Sequence, residues 1–267
     1  MSDISSFAGW LERPPGTIFP QRTGSLTAAA QARQHAACDL PASLSAGDLD
    51  PTLLGQDMVL MASAAGLAVD GRVHLAHRIV QRAPLRIDAG YRIGGSIERL
   101  VPVPRGHEVE ISAAAEPALH AMPIMLAATY LLPGLAPSGP AAPASEASTA
   151  PVTAATTLGR LDLTPERVMS YSADVGNLLH FDPAFAAARG FRAPIAQGLM
   201  LVTAFLGALA RARGAVPERF ELTARFRRPT FWDDRLEFHL DDERWCCIAA
   251  DGRILVDGKF SPAEAPS

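Results

Sequence analysis

The chain has 267 residues, 48% of them hydrophobic and 19% charged, with 24 Lys+Arg against 28 Asp+Glu and a formal net charge of -4. That is apolar material enough for one large core or two ordinary ones, and it excludes a globally disordered chain or one built to track a phosphate backbone. The three cysteines, Cys38, Cys246 and Cys247, are an odd set with two adjacent members, so they read as reduced thiols.

The N-terminus lacks the basic flank and long apolar run of a secretory signal. No uncharged apolar stretch reaches the roughly 18 residues of a membrane-span candidate, and the most hydrophobic helical window, 195–209, contains Gln197. The expected location is the cytoplasm, with neither membrane nor nucleic acid as a partner. In chain order, the spacing predicts a helix over 26–38 with Ser25 as its cap, a proline-bounded loop over 41–51, and a helix over 58–65 stopped by Gly66. Short β-like runs follow over 73–80, 91–101, 108–114 and 122–132. The alternation Glu108-Val109-Glu110-Ile111 is the period of a sheet with one buried face.

Residues 133–154 then break the pattern. Pro133, Pro137, Pro140, Pro143 and Pro151 stand among Ala, Ser and Gly, and large apolar side chains nearly vanish. Such a stretch cannot bury enough area to offset its ordering entropy, so it reads as a linker between domains 1–132 and 155–267. The second domain repeats the order of the first. Thr164 caps a helix, a loop covers 174–183, and a short alanine-rich helix covers 183–189. A helix over 197–212, without charge before Arg211, is buried on nearly every side. Strands are expected over 220–226, 235–240, 245–250 and 254–260, with Asp251-Gly252 as a tight turn. Helices followed by antiparallel strands make the fold class α+β.

Two stretches carry a family resemblance. Tyr171-Ser-Ala-Asp-Val-Gly-Asn177-Leu-Leu-His180-Phe-Asp182-Pro183 and Gly190-Phe191-Arg192-Ala-Pro194-Ile195-Ala196-Gln197-Gly198-Leu199-Met200 resemble the MaoC-like hydratases and dehydratases of the hot-dog fold, and Arg225-Phe-Arg-Arg-Pro229 is similar to the arginine-rich entry into their sheet. The first half, with Ala83-Pro84-Leu85-Arg86 before a strand, is similar to the degenerate first repeat of double hot-dog relatives. The resemblance implies a tandem hot-dog fold, each module a curved antiparallel sheet around a central helix, with a degenerate module over 1–132 and a MaoC-like one over 155–267. It implies reversible hydration of a 2-enoyl thioester to a 3-hydroxyacyl thioester. Coenzyme A or an acyl carrier protein is then part of the substrate, and no separate cofactor is called for; a homodimer is compatible with it.

On the same resemblance His180 falls on the family's catalytic histidine, Asn177 on its asparagine, Asp182 on the acidic residue beyond, and Gly198 on the glycine whose amide polarises the thioester carbonyl. An N–H at a helix N-terminus opposes the negative charge that develops on that oxygen. The chain departs from the pattern at three positions: Leu178 stands where the family has proline, Val175 where it has the catalytic aspartate, and Gln197 where it commonly has histidine. Asp174, one residue away, is the candidate replacement carboxylate, and Gln197 keeps hydrogen-bonding capacity without a titratable role. Arg192 and Arg228 are the first candidates for a phosphate of a carrier arm. His74, His77, His107 and His120 form no ligand set with Cys or carboxylates, so no metal is predicted. Two function classes stay open: a thioester hydratase or dehydratase, and a catalytically degenerate hot-dog protein that binds a thioester or a partner subunit without turnover. A third, an enzyme of this fold with other thioester chemistry, is weaker.

Overall fold

A computed structural model describes residues 7–24, 26–40, 47–117, 123–134 and 156–263. The first half runs α1 (Ala8–Leu11), β1 (Arg22–Gly24), α2 (Ala28–Ala37), a 3-10 turn (Pro51–Leu54), α3 (Gly55–Ala64), β2 (Val73–Gln81), β3 (Tyr91–Val103), β4 (Gly106–Pro117) and β5 (Ile124–Pro133). The second runs β6 (Thr156–Asp162), α4 (Pro165–Ser172), a 3-10 turn (Leu178–His180), α5 (Pro183–Ala187), α6 (Gly198–Arg213), β7 (Phe220–Phe226), β8 (Arg235–Asp241), β9 (Arg244–Ala249) and β10 (Ile254–Pro262). Most expected elements form within a few residues of their expected ends. The cap of α2 is Thr27, whose hydroxyl accepts from the Ala30 amide at 3.1 Å. Ser25, residues 41–46, His120, Met122 and residues 135–155, which hold most of the expected linker, lie outside the described residues.

The strands form one antiparallel ten-stranded sheet in the order β1-β3-β4-β5-β2-β7-β10-β9-β8-β6. Read inward from either edge, each half lays down its first, third, fourth, fifth and second strand. The two halves are therefore copies of one topology related by a pseudo-twofold axis between β2 and β7, where His77 faces Ala224 and Ile79 faces Leu222. This is the tandem hot-dog arrangement, with a helix packed on the inner face of each half.

The apolar run at 199–210 explains why α6 occupies the centre. All twelve of those residues are buried, and Phe205 stacks on Trp245 with ring centroids 4.2 Å apart. Gly214 closes the helix at φ +85, in the left-handed region that a Cβ disfavours. Gly207 is needed for a different reason: a Cβ there would lie 1.9 Å from Leu40 Cδ2, so its absence lets the first half press against α6.

A buried polar chain joins the halves across this interface. The Asp50 carboxylate accepts from His35 Nε2 at 2.9 Å, from the Thr52 amide at 2.9 Å and from the Thr52 hydroxyl at 2.7 Å. The Thr52 hydroxyl lies 2.7 Å from that of Thr203 on α6, and the Thr203 hydroxyl lies 2.8 Å from the Tyr171 hydroxyl and donates to Leu199 O at 3.0 Å. These contacts connect His35 on α2, Tyr171 on α4 and Thr203 on α6 through one buried network.

Candidate active site

The segment between β6 and α6 is a series of capped short turns, which is how a loop holds side chains in fixed places. Thr164 accepts from the Arg167 amide at 3.3 Å and starts α4. Asn177 Oδ1 accepts from the Leu179 amide at 3.1 Å and starts the 3-10 turn that carries His180. Asp182 Oδ1 accepts from the Ala184 and Phe185 amides at 2.8 and 3.1 Å and starts α5. Both side chains are engaged in capping and fix the backbone on either side of His180.

His180 is 7% exposed and tied directly to the entry of α6. The Ile195 amide donates to Leu179 O at 3.0 Å, and His180 Nδ1 lies 2.7 Å from Ile195 O. A carbonyl only accepts, so Nδ1 carries the proton and Nε2 keeps its lone pair. Burial lowers the imidazole from its usual 6.5 to about 4, with the Ile195 bond opposing that shift, so the ring is neutral near pH 7. A neutral histidine with Nε2 free is in the protonation state a general base requires.

Two residues beyond Ile195 comes Gln197, the N-cap of α6, which makes no side-chain cap bond and whose Nε2 is buried without a partner among the described residues. The Met200 amide bonds Gln197 O at 3.0 Å. The amides of Gly198 and Leu199 precede the helical ladder, and helix geometry leaves them without an intrahelical partner. Gly198 is also required sterically, because a Cβ would lie 2.6 Å from the Phe226 ring. His180, Gln197 and Gly198 are thereby gathered at one helix terminus.

The other expected site residues stand elsewhere or are already engaged. Asp174 has 42% of its side chain exposed and pairs with Arg33 on α2, which also donates to Ser170 O at 3.1 Å. Asp174 makes no hydrogen bond with His180 among the described residues. The Arg192 guanidinium bonds Asp233 at 2.8 Å and Asp234 at 3.0 Å and lies 4.0 Å over the Phe231 ring, so its fork is filled by carboxylates. Arg228 is exposed and makes no side-chain bond among the described residues, unlike Arg227, which is bidentate on Asp257 at 2.8 and 2.9 Å. Of Arg192 and Arg228, the open one among the described residues is Arg228.

One group escapes a reading of the sequence. His74 and His77 are three apart, a spacing that sends side chains to opposite faces of a regular strand. A bulge in β2 between His74 and Ala76 turns both rings to the inner face, with centroids 5.3 Å apart. Arg72 joins them, 3.9 Å over the Tyr130 ring.

Comparisons with known proteins agree with this architecture. Residues 146–254 match the family model described as MaoC like domain. HtdX of Mycobacterium tuberculosis is 18% identical over 92% of this chain and 100% of its own, with a TM-score of 0.72. A MaoC-like dehydratase from Phytophthora capsici is 16% identical over 98% of each chain, with a TM-score of 0.73. Rv0216 of Mycobacterium tuberculosis, which has a double hotdog fold, is 13% identical over 94% of this chain and 96% of its own, with a TM-score of 0.63. No curated protein matches the chain. Among the described residues no helix is long and apolar enough to cross a membrane.

Proposed function

We propose that this chain is an acyl-thioester hydratase or dehydratase in which His180 moves the proton and the first amides of α6 hold the thioester oxygen. The MaoC-like match over 146–254 and the likeness to a solved MaoC-like dehydratase support thioester hydration or dehydration as the class of chemistry. The observation that carries the reading is the 2.7 Å bond from His180 Nδ1 to Ile195 O, which leaves Nε2 as the free base beside the α6 terminus.

In the hydration direction Nε2 takes a proton from water as the water oxygen bonds to the β-carbon. The double-bond electrons shift to the α-carbon and onto the thioester oxygen, where the Gly198 and Leu199 amides oppose the charge. The imidazolium then returns a proton to the α-carbon, and dehydration is the reverse. Positive charge on His180 and negative charge on the enolate appear together, which offsets the weak basicity that burial imposes on the ring. Coenzyme A or an acyl carrier protein carries the acyl group, with the exposed Arg228 as a contact for its phosphate. Asp174 enters the reaction only by leaving Arg33, and that places it second to His180.

Binding without turnover is the competing reading, favoured by Val175 at the family's aspartate position and by the Arg33 pair that occupies Asp174. Hydration of a panel of short and long 2-enoyl-CoA and carrier-protein thioesters separates the two. The enzyme reading expects turnover in the wild type and a fall of about 10²-fold or more in His180→Ala with the fold retained. Tight thioester binding with no turnover on either carrier rejects it.

A further inference from the structure

Arg72, just before β2, and His74 and His77 on it carry buried polar atoms that the chemistry above does not use. Arg72 is 8% exposed and its Nη1 has no hydrogen-bond partner among the described residues; the same holds for His74 Nε2 and for both ring nitrogens of His77, which is 2% exposed. Native interiors rarely leave such atoms unpaired, and four in one place mark a position where something else supplies the partner.

Their location says what that partner adjoins. The His77 ring lies between β2 and the opening turns of α3 and α6: a Cβ on Gly55 would be 3.3 Å from His77 Cε1 and 2.2 Å from Leu199 Cδ1. His74 sits between Tyr130 and Phe226, at 4.7 and 4.6 Å between ring centroids, and Phe226 is the ring that packs against Gly198. The group therefore borders the same helix terminus whose amides face the thioester carbonyl in the reading above. Whatever is attached to that carbonyl runs past residues supplied by the other half of the molecule.

We propose that Arg72, His74 and His77 form an acyl subsite that selects thioesters whose acyl chain carries an oxygen, as a hydroxyl or a carbonyl, over plain alkyl chains. This rests on the thioester reading. The chemistry of the three side chains sets the class. Arg72 only donates. A neutral imidazole offers one donor and one acceptor, and burial keeps both rings neutral, with His77 lowered to about 4. A hydroxyl satisfies both kinds of group and a carbonyl satisfies the donors, whereas a methylene at the same place excludes water and leaves each one unpaired. Each buried group so stranded weakens binding by about tenfold.

The test uses the full chain and thioesters saturated between the α- and β-carbons, so that binding is read without turnover. Titration calorimetry compares hexanoyl-CoA with its analogues bearing one hydroxyl or one oxo group at the fourth, fifth or sixth carbon. At least one oxygenated analogue is expected to bind the wild type about tenfold or more tightly than the parent. His77→Phe and Arg72→Met, each checked for a cooperative thermal transition, are expected to lose that advantage while still binding the parent. Equal binding of parent and every analogue by the wild type overturns the subsite and leaves the thioester reading standing. An advantage that survives in either folded variant also overturns it. Failure of every thioester to bind removes both readings together, and if neither variant folds, the wild-type comparison alone decides.

Discussion

The two central helices occupy equivalent places and meet different surroundings. In α6 every residue from Leu199 to Ala210 is buried, whereas ten-residue α3 buries Gly55, Met58, Met61 and Ala62 and leaves Leu60 37% exposed. The segment before each helix differs as well. Ahead of α6 a chain of capped turns brings His180 to its terminus; ahead of α3 the 3-10 turn carries Thr52 into the buried Asp50 network. One copy of the topology ties a buried histidine to the entry of its helix, while the other contributes the polar side chains of β2.

The sharpest way to break this comparison is to place the same charge in both helices. Leu206→Asp strands a carboxylate in a fully packed interior and is expected to cost more than about 4 kcal/mol, read as loss of a cooperative thermal transition. Leu60→Asp, on the partly exposed face of α3, is expected to stay within about 1 kcal/mol. A next, smaller effect tests the polar chain between the halves. Thr203→Val leaves the Tyr171 and Thr52 hydroxyls without a shared partner and is expected to cost about 1–3 kcal/mol in urea denaturation. An unchanged midpoint removes that chain from the account of how the halves are joined.

Acid titration weighs the two buried histidines against each other. His77 in the first half and His180 in the second are both lowered to about 4 by burial, against the usual 6.5 that an unfolded chain restores. Between those values the unfolded chain binds a proton that the folded one refuses. Each histidine's contribution to stability is therefore complete above about pH 6.5 and declines as pH falls toward 4. His77→Phe and His180→Phe should each flatten that slope, measured as urea midpoint against pH, and a slope unchanged in both would show that neither ring is held neutral. The smallest expected effect concerns the joint. A protease should cut first within the proline-rich stretch 133–154, and the nicked protein should elute as one species, because β2 and β7 pair directly from Ala76–Arg225 to Gln81–Phe220.

Much of this was legible because local signals dominate where they are strong. Phe220 to Phe226 alternates, and Thr164 caps the helix it precedes. Edge strands are harder. Arg22–Gly24 is three residues long and Thr156–Asp162 is largely exposed, so neither carries an apolar period. The site was half legible for a related reason. His180 and Gly198 lie within one continuous segment, but the partner that occupies Asp174 is Arg33, 141 residues away, and the carboxylates that fill Arg192 are 41 and 42 residues away. The inward turn of both His74 and His77 depends on a bulge, an insertion in strand register that leaves no mark in a single chain's composition.

The β2–β7 seam also sets an order of events during synthesis. Until Phe226 has left the ribosome, the first half has all its strands but presents β2 as an open edge, with the backbone groups of Ala76 to Gln81 that face β7 unpaired. The closing contact joins residues about 140 to 150 positions apart, the kind of pairing that forms late. A stalled or truncated chain is therefore poised to add a strand from a second copy of itself.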